Sequence, residues 1–242
     1  MKINFNSVIV DASKPNSCQS SNFIKNFYKI FGQNFIDLII NTYCGTKLTI
    51  LVSNIDDCNT IDYVELNYNI KNVKLLGQTK GALASAAMGV ANIPLEDDGP
   101  LLICPSDSIV QKEELEIFVN KMHKNRVAAG VLIFKSIDSR YSYVRIGQSG
   151  EVLEIAEKKL ISNLATAGVF YFRAKSDFLT ASNWSFVNNI SRNGIFYIAP
   201  CLNYFITIND KVGYHEINPL NYFRFTTLDE ANSSRSILEN NV

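Results

Sequence analysis

The sequence predicts an α/β fold, with a mixed, mainly parallel sheet that carries helices on both faces. Short apolar runs bounded by polar or turn residues recur along the first half, and such runs are typical of strands buried on both faces. Amphipathic stretches separate these runs, and this alternation favours a parallel, doubly wound sheet. The second half contains a hairpin pattern, which makes the predicted sheet mixed.

The elements of the first half are placed by their apolar patterns. The predicted strands cover residues 8–10, 47–52, 73–76 and 101–104. The predicted helices cover residues 35–40, 82–91 and 113–124. Small residues fill the second of these helices, which lets it lie close to a sheet. The third helix places Leu115, Val119 and Met122 on one face.

The second half is richer in strands. The predicted strands cover residues 127–134, 143–147, 152–156, 165–173 and 211–217. Gln148, Ser149 and Gly150 form the predicted turn of a hairpin between the second and third of these strands. Helices are predicted at residues 178–187, 195–206 and 228–238, and Thr226 or Thr227 is the predicted N-cap of the last one.

Length and charge limit the classes of protein to which the chain could belong. The 242 residues contain no repeat and no linker, so we predict one domain over residues 1–242. Lys plus Arg and Asp plus Glu each number 23. This neutral balance argues against a protein that coats nucleic acid or an anionic membrane.

Further features predict a cytoplasmic protein. No apolar run approaches the ~18 residues of a membrane span, and the first residues lack the apolar core of a signal peptide. The five cysteines are scattered without CxxC spacing, which favours reduced thiols over a disulfide framework or a zinc site. Because the chain has only two histidines, we expect neither a histidine metal cage nor a serine-protease-like triad.

Asp107 is the first candidate for chemistry. It lies just past a predicted central strand, where open α/β sheets place their ligands. A carboxylate at this point can hold Mg²⁺, which in turn binds phosphates. The other interpretation is an Asp that only caps a turn in the loop between strand and helix.

Two further segments carry polar side chains near element ends. Gly81 opens a helix directly after a strand, where backbone N–H groups can bind an anion, and Gln78 offers the donor and acceptor needed to read a base edge. An ordinary turn with an exposed Gln explains the same residues. Glu157 and Lys158 follow a predicted strand and could hold a sugar hydroxyl and a phosphate, respectively. A solvated charge run is the alternative.

Taken in order, these segments resemble the sugar-phosphate nucleotidyltransferases, also called nucleotide-sugar pyrophosphorylases. The resemblance covers residues 8–238 and depends on the order and spacing of short pieces. These pieces are Gln78…Gly81-Ala82, Pro105-Ser106-Asp107, Arg140-Tyr141-Ser142-Tyr143-Val144, Gly150-x-Val152, Glu157-Lys158, Ser162-Asn163 and residues 167–172. Residues 196–200 and 222–230 are similar to capsule-type members that act on sugar or choline-like phosphates.

The resemblance implies a GT-A-like (Rossmann-like) fold and two substrates, an NTP and a sugar phosphate or similar small phosphate. It also implies Mg²⁺ as cofactor. It assigns side chains to the metal, the nucleotide and the acceptor. These residues are Asp107 for the metal and catalysis, Gln78 and Gly81 for the nucleotide, and Glu157, Lys158 and Gly168 for the acceptor.

The first loop departs from the family pattern. Family members have a Gly-rich loop that ends in Arg, continues into Pro-Lys-Pro and wraps the nucleotide phosphates. Here no glycine precedes Gly32, and Lys25 falls on the lysine of that motif with both prolines replaced. The resemblance assigns Lys25 to catalysis and Ala12 and Lys14 to nucleotide binding, with Lys14 in place of the missing Arg.

A second departure concerns metal binding near the end of the chain. The family often has an Asp shortly before a Gly-Thr pair, as a second metal ligand. This sequence has Arg224 near that Asp and Thr226 at the Gly, while Ser142 stands where the family prefers Gly. Asp229 and Glu216 are the carboxylates that could compensate.

The sequence supports two classes of function. One is an active Mg²⁺-dependent nucleotidyltransferase, which moves NMP from an NTP to a sugar phosphate or related small phosphate and releases pyrophosphate, for the synthesis of surface-polysaccharide precursors. The other is a catalytically inactive homologue that binds nucleotide sugars or regulates a partner. A GT-A-type glycosyltransferase is a third possibility, and the altered first loop favours these alternatives. The aromatic-rich second half could supply the surface of a homodimer.

Overall fold

The structure is a computed structural model that describes residues 3–11, 25–54 and 58–240. Ala12 and Lys14, which the resemblance assigns to nucleotide binding, lie outside the described residues. The strands are β1 (Asn6–Val10), β2 (Lys29–Ile30), β3 (Gln33–Asn34), β4 (Thr49–Asn54), β5 (Lys71–Leu75), β6 (Leu101–Pro105), β7 (Ser108–Val110), β8 (Ala129–Lys135), β9 (Tyr143–Ile146), β10 (Val152–Ala156), β11 (Leu164–Phe172), β12 (Val212–Glu216) and β13 (Tyr222–Arg224). The helices are α1 (Phe35–Tyr43), α2 (Cys58–Asn67), α3 (Ala82–Val90), α4 (Lys112–Lys124), α5 (Lys175–Val187), α6 (Ile198–Cys201), α7 (Asn203–Thr207) and α8 (Leu228–Asn240), and short 3₁₀ helices cover Lys25–Phe27 and Pro219–Asn221.

Nine strands of the described chain form one sheet, in which β12, β8, β11, β6, β1, β4 and β5 lie side by side. Strand β1 is parallel to β4 and β6, β4 is parallel to β5, and β12 is parallel to β8. Strand β11 runs antiparallel to β6 and β8, and the β9–β10 hairpin attaches near its start. The predicted mixed, mainly parallel sheet is confirmed, and β9 and β10 form the predicted hairpin.

Alternating side chains of the central strands fill two cores, one on each face of the sheet. On β1, Ile9 packs with residues of α1, α4 and α8, whereas Val8 and Val10 pack with residues of α3, α5, α6 and α7. Strand β6 divides in the same way, with Leu102 in the first core and Ile103 in the second. Helices therefore cover both faces, as predicted, and this explains why the central strands are apolar throughout.

Helix α3 lies unusually close to the sheet. Its residues are nearly all small, and Gly89 faces β1 and β4. A Cβ atom at this position would lie 2.7 Å from Val8 Cγ1 and 2.6 Å from Val52 Cγ2. The absence of a side chain at Gly89 therefore sets the distance between this helix and the sheet.

The structure corrects three details of the predicted elements. Helix α2 was not predicted, because the two buried apolar residues of its described part, Ile61 and Val64, are too few to form a clear apolar stripe. Strands β7 and β13 are three residues long, which is too short for a periodic pattern. The predicted helix at 195–206 is wrong at its start and divided at Leu202. Beside this break, the amide of Asn203 binds the backbone N and O of Ile155 on β10, at 2.9 and 2.8 Å.

The structure also bears on the cysteines and on the length of the helices. Cys44, Cys104 and Cys201 are free thiols, and burial raises the pKa of Cys104 and of Cys201. Within the described ranges, no helix combines the length and the apolar character that crossing a bilayer requires.

Candidate active site

A cleft of about 590 Å³ opens where β1 and β6 end. Because these strands are parallel neighbours, with Val10 opposite Pro105, their carboxyl ends meet at one edge of the sheet. The cleft is also lined by residues 139–142, residues 157–158, the middle of β11, the start of α6 and the end of β13. This is the position at which open α/β sheets bind ligands.

Asp107 lies in this cleft, two residues beyond the end of β6. Its main-chain oxygen accepts a hydrogen bond from Phe225 N (2.8 Å), and its Oδ2 accepts one from Thr226 Oγ1 (3.3 Å). Its Oδ1 accepts a long hydrogen bond from Ser108 Oγ (3.4 Å). Behind it, the buried hydroxyl of Tyr43 donates to Ser108 O (3.1 Å) and fixes the loop. The fold thus holds the carboxylate at the edge of the sheet by groups from both ends of the chain.

The surroundings of Asp107 fit a magnesium ion that also binds substrate phosphates. Mg²⁺ is usually held by one or two carboxylates, with phosphates and waters completing its shell. The hydrogen bonds to Oδ1 and Oδ2 are long and leave lone pairs for such an ion. Among the described residues, no group of three or more His, Cys, Asp or Glu side chains forms a protein-only cage. Asp107 supplies one carboxylate of this kind at the edge of the sheet.

Glu157 and Lys158 line the same cleft. The Glu157 carboxylate accepts a hydrogen bond from Ser142 Oγ, and burial raises its pKa, although Ser142, Lys158 and Arg192 oppose this rise. Lys158 Nζ donates to Tyr197 OH (3.2 Å) and lies 4.9 Å from the centre of that ring. Arg192 Nη1 donates to the main-chain oxygens of both Glu157 and Lys158, at 2.7 Å each. Arg192 thus anchors the backbone that carries the acidic and the basic side chain.

Gly168 also lines the cleft. It lies in β11, where the pairing with β8 shifts register between Thr166 and Phe170. A Cβ atom added to Gly168 would lie 3.4 Å from Pro105 Cγ. Its position places the backbone of β11 beside the end of β6, near Asp107.

The Gln78–Gly81 loop lies beside the cleft and does not line it. Ala82, the next residue along the chain, reaches the lining, and Gln78 is exposed. Gly81 is the N-cap of α3, with φ at +117°, and a Cβ there would lie 2.4 Å from Phe196 O. Around it, Phe196 N donates to Lys80 O (2.7 Å), which joins this loop to the segment before α6. The proposed contact of Gln78 with a base remains a prediction.

Arg224, at the end of β13, also lines the cleft. In the β7–β13 pair it lies opposite Ser108, the residue after Asp107. Its guanidinium carbon is 5.1 Å from the centre of the Tyr141 ring, and its Nη1 is 3.6 Å from Glu230 Oε1. Burial lowers its pKa, but the nearby Tyr222, Glu230, Tyr141 and Asp107 outweigh that effect, so the pKa is raised overall and the side chain stays charged.

Sequence reasoning did not single out two other side chains of the cleft, Asp11 and Tyr197. The signal for Asp11 was present, because it directly follows β1, as Asp107 closely follows β6. Tyr197 has no such signal, since its place in the cleft depends on the turn before α6. Lys25 begins a short 3₁₀ helix, and its role in catalysis remains a prediction.

Comparisons with known proteins agree with this fold. The family model for nucleotidyl transferases matches residues 25–185. A nucleoside-diphosphate-sugar pyrophosphorylase from Vibrio cholerae RC9 is similar in structure, with a TM-score of 0.79 at 17% identity, over 95% of this chain and 99% of that one. A protein from Bacillus anthracis, assigned as a glucose-1-phosphate thymidylyltransferase and solved with sucrose, has a TM-score of 0.75 at 12% identity, over 96% of this chain and 94% of that one.

At these identities, the two solved structures establish the fold. A comparison with curated protein sequences gave no match. The family model itself covers more than half of the 242 residues, including Gln78, Asp107, Glu157 and Lys158. The chain therefore belongs to the nucleotidyl transferase family.

Proposed function

We propose that the protein transfers NMP from an NTP to a sugar phosphate or a related small phosphate and releases pyrophosphate. The observation that carries this proposal is the meeting of Asp107 with Glu157 and Lys158 in one cleft at the ends of the parallel strands. These side chains supply one group suited to a metal, one acceptor for a hydroxyl and one cation for a phosphate. The reaction needs all three at once.

In the proposed reaction, a phosphate oxygen of the acceptor attacks the α-phosphorus of the NTP. The new P–O bond forms as the bond between the α-phosphorus and the bridging oxygen breaks, and pyrophosphate leaves with that oxygen. No covalent intermediate with the protein is needed, because positioning and charge stabilisation supply most of the rate enhancement.

We propose Mg²⁺ as the cofactor, held by Asp107. When bound, Mg²⁺ neutralises phosphate charge and orients the reacting oxygens. The chain's own contribution is to aim the carboxylate through the contacts from Phe225 and Thr226. Asp11, a second carboxylate, directly follows β1 and lines the same cleft.

We propose that Glu157, Lys158 and Gly168 hold the acceptor. Glu157 accepts hydrogen bonds from sugar hydroxyls, Lys158 contacts the acceptor phosphate, and Gly168 leaves room beside the end of β6.

On the nucleotide side, the assignments come from the resemblance and from the position of the Gln78–Gly81 loop beside the cleft. We propose that Gln78 and Gly81 contact the base and that Ala12, Lys14 and Lys25 meet the triphosphate. The product, an activated sugar made in the cytoplasm, would serve surface-polysaccharide synthesis.

The test is an assay of pyrophosphate release with each NTP, Mg²⁺ and a panel of sugar 1-phosphates. We expect release that requires an NTP, an acceptor and Mg²⁺ together, and that Asp107→Asn reduces kcat by about 100-fold or more. Asp62→Asn, a change at an exposed position of α2, is the matched control and should leave the rate near that of the wild type. Binding of a nucleotide sugar without any release would instead support the inactive homologue.

A further inference from the structure

Arg224 is a cation in the cleft, and one nitrogen of its guanidinium has no hydrogen-bond partner in the described chain. Its Nη1 is buried and has no hydrogen-bond partner there, and its closest carboxylate oxygen, Glu230 Oε1, is 3.6 Å away. That distance is longer than a hydrogen bond. Buried donors are nearly always satisfied in native proteins, so an exception of this kind calls for a ligand or another functional reason.

Glu230 does not neutralise Arg224 by itself, because it is engaged elsewhere. Its Oε1 accepts a hydrogen bond from Arg140 Nη1 (2.8 Å), and its Oε2 accepts one from Thr226 N (3.2 Å). The Arg140 side chain also donates to Asp138, at 2.6–3.1 Å. Arg140 therefore makes the shorter contact with Glu230, and the Arg224 side chain borders the cleft.

The backbone holds this cation in place. Arg224 N donates to Ser234 Oγ (3.1 Å), which in turn donates to Arg224 O (2.9 Å), so α8 clamps the end of β13. The Tyr141 ring lies against the guanidinium. With 20% of its side chain exposed, Arg224 is positioned and desolvated, which strengthens its attraction to an anion.

We propose that Arg224 binds a phosphoryl group of a substrate, next to Asp107. This proposal rests on the proposed function, which brings phosphates to this cleft. A guanidinium presents donors in a rigid fork that matches two oxygens of a phosphate. Arg224 thus adds a fixed positive charge to the cleft beside Asp107. The phosphoryl group belongs to either the NTP or the acceptor, and the experiment separates the two.

The experiment measures binding and not turnover, by calorimetric titration of the wild-type chain and of Arg224→Gln. The probes are inorganic pyrophosphate, the NTPs, the matching nucleosides and glucose 1-phosphate, each with and without Mg²⁺. We expect Arg224→Gln to weaken the binding of phosphate-bearing probes by about 10- to 100-fold, as the loss of a charged hydrogen bond implies. Nucleoside affinity should stay unchanged, because a nucleoside has no phosphate.

The control is Arg145→Gln, which removes an exposed arginine paired with Glu154 on the hairpin and should bind every probe as the wild type does. Arg224→Met keeps the apolar stem against Tyr141, and Arg224→Lys keeps the charge. Near-UV circular dichroism identifies which of the three Arg224 variants are folded. A loss confined to NTP and pyrophosphate places the phosphoryl group in the triphosphate, and a loss confined to glucose 1-phosphate places it in the acceptor. Both results support the proposal.

Two results would overturn it. One is a folded Arg224→Gln or Arg224→Met variant that binds all phosphate-bearing probes as tightly as the wild type, which would make the side chain a purely structural cation. The other is a wild-type chain that binds none of these probes. If binding depends on Arg224 but no pyrophosphate is ever released, the proposed reaction fails while the phosphate contact stands.

Discussion

Glu157 and Lys158 are adjacent in sequence but occupy different environments, and this difference governs their chemistry. Glu157 is largely enclosed and receives a hydrogen bond from Ser142, whereas Lys158 is exposed and lies over Tyr197. The sequence alone shows only a charge run after a strand. Glu157 is enclosed by residues from other segments, such as Ser142, and this burial raises its pKa.

The raised pKa of Glu157 predicts a pH-dependent cost to stability. Its folded-state pKa lies above the ordinary value of 4.5, mainly because burial disfavours the charged form. Between those two pKa values the folded state binds more protons than the unfolded state, so this residue makes stability fall as pH rises. Glu157→Gln removes the titration. We expect the unfolding free energy of the variant, relative to wild type, to increase from pH 4.5 towards neutrality in urea titrations.

The control for this prediction is Leu160→Ala, a change at an exposed position three residues further along the chain. Its difference from wild type should not vary with pH, because neither side chain titrates. A Glu157→Gln difference that stays constant across the same range would contradict the pKa assignment.

Lys158 is expected to control acceptor affinity. Lys158→Met keeps the length of the apolar stem and removes the ammonium, so it should raise the KM for the acceptor by about 10- to 100-fold, the value of a lost charged hydrogen bond. The KM for the NTP should change little, because the contact is with the acceptor phosphate. Steady-state kinetics with each substrate varied in turn measures both constants.

Lys159→Met is the matched control, since Lys159 is exposed and does not line the cleft. It should leave both KM values near those of the wild type. Equal increases in the two KM values for Lys158→Met would argue against an acceptor contact.

At the level of elements, the closeness of α3 to the sheet depends on a missing side chain. Gly89→Ala should add helix propensity of about 1 kcal/mol. The new Cβ, however, would lie within 2.7 Å of Val8 and Val52 side chains, and overpacking a tight core costs about 1–3 kcal/mol. We expect the clash to win, so the variant should lose about 1 kcal/mol in urea unfolding.

The comparison for Gly89→Ala is Met88→Ala, one residue earlier in the same helix, where the side chain is 51% exposed. That change should alter stability by no more than about 0.5 kcal/mol. If Gly89→Ala proves more stable than wild type, the helix does not approach the sheet as closely as the structure places it.

Elements were predictable where they carry a clear apolar pattern. Strands β1, β4 and β6 and helices α3 and α4 are long enough for an apolar pattern, and they appear close to the predicted positions. Strands β7 and β13 have three residues each and depend on pairing with each other. Pairing between residues more than a hundred positions apart leaves no local periodicity, and for this reason the environment of Arg224 was not predictable.

For the whole molecule, one domain over residues 1–242 stays a prediction, and the sheet contains strands from both halves of the described chain. Strands from both halves pair at β6–β11, and the chain returns to the first half when β13 pairs with β7. We expect urea unfolding followed by far-UV circular dichroism to coincide with unfolding followed by the fluorescence of Trp184, the single tryptophan, in α5. Two separated transitions would indicate two independent units.

The sequence by itself determined the architecture, because strands buried on both faces must be apolar and their helices amphipathic, and these are local patterns. It also determined that Asp107 lies at the edge of the sheet, since that follows from its place after a strand. Only the tertiary structure decided which side chains share the cleft. Arg224 lies near Asp107 because β13 pairs with β7, and Ser142 contacts Glu157 across the β9–β10 hairpin. Such contacts join residues of different elements, so their geometry follows from packing rather than from any one local pattern.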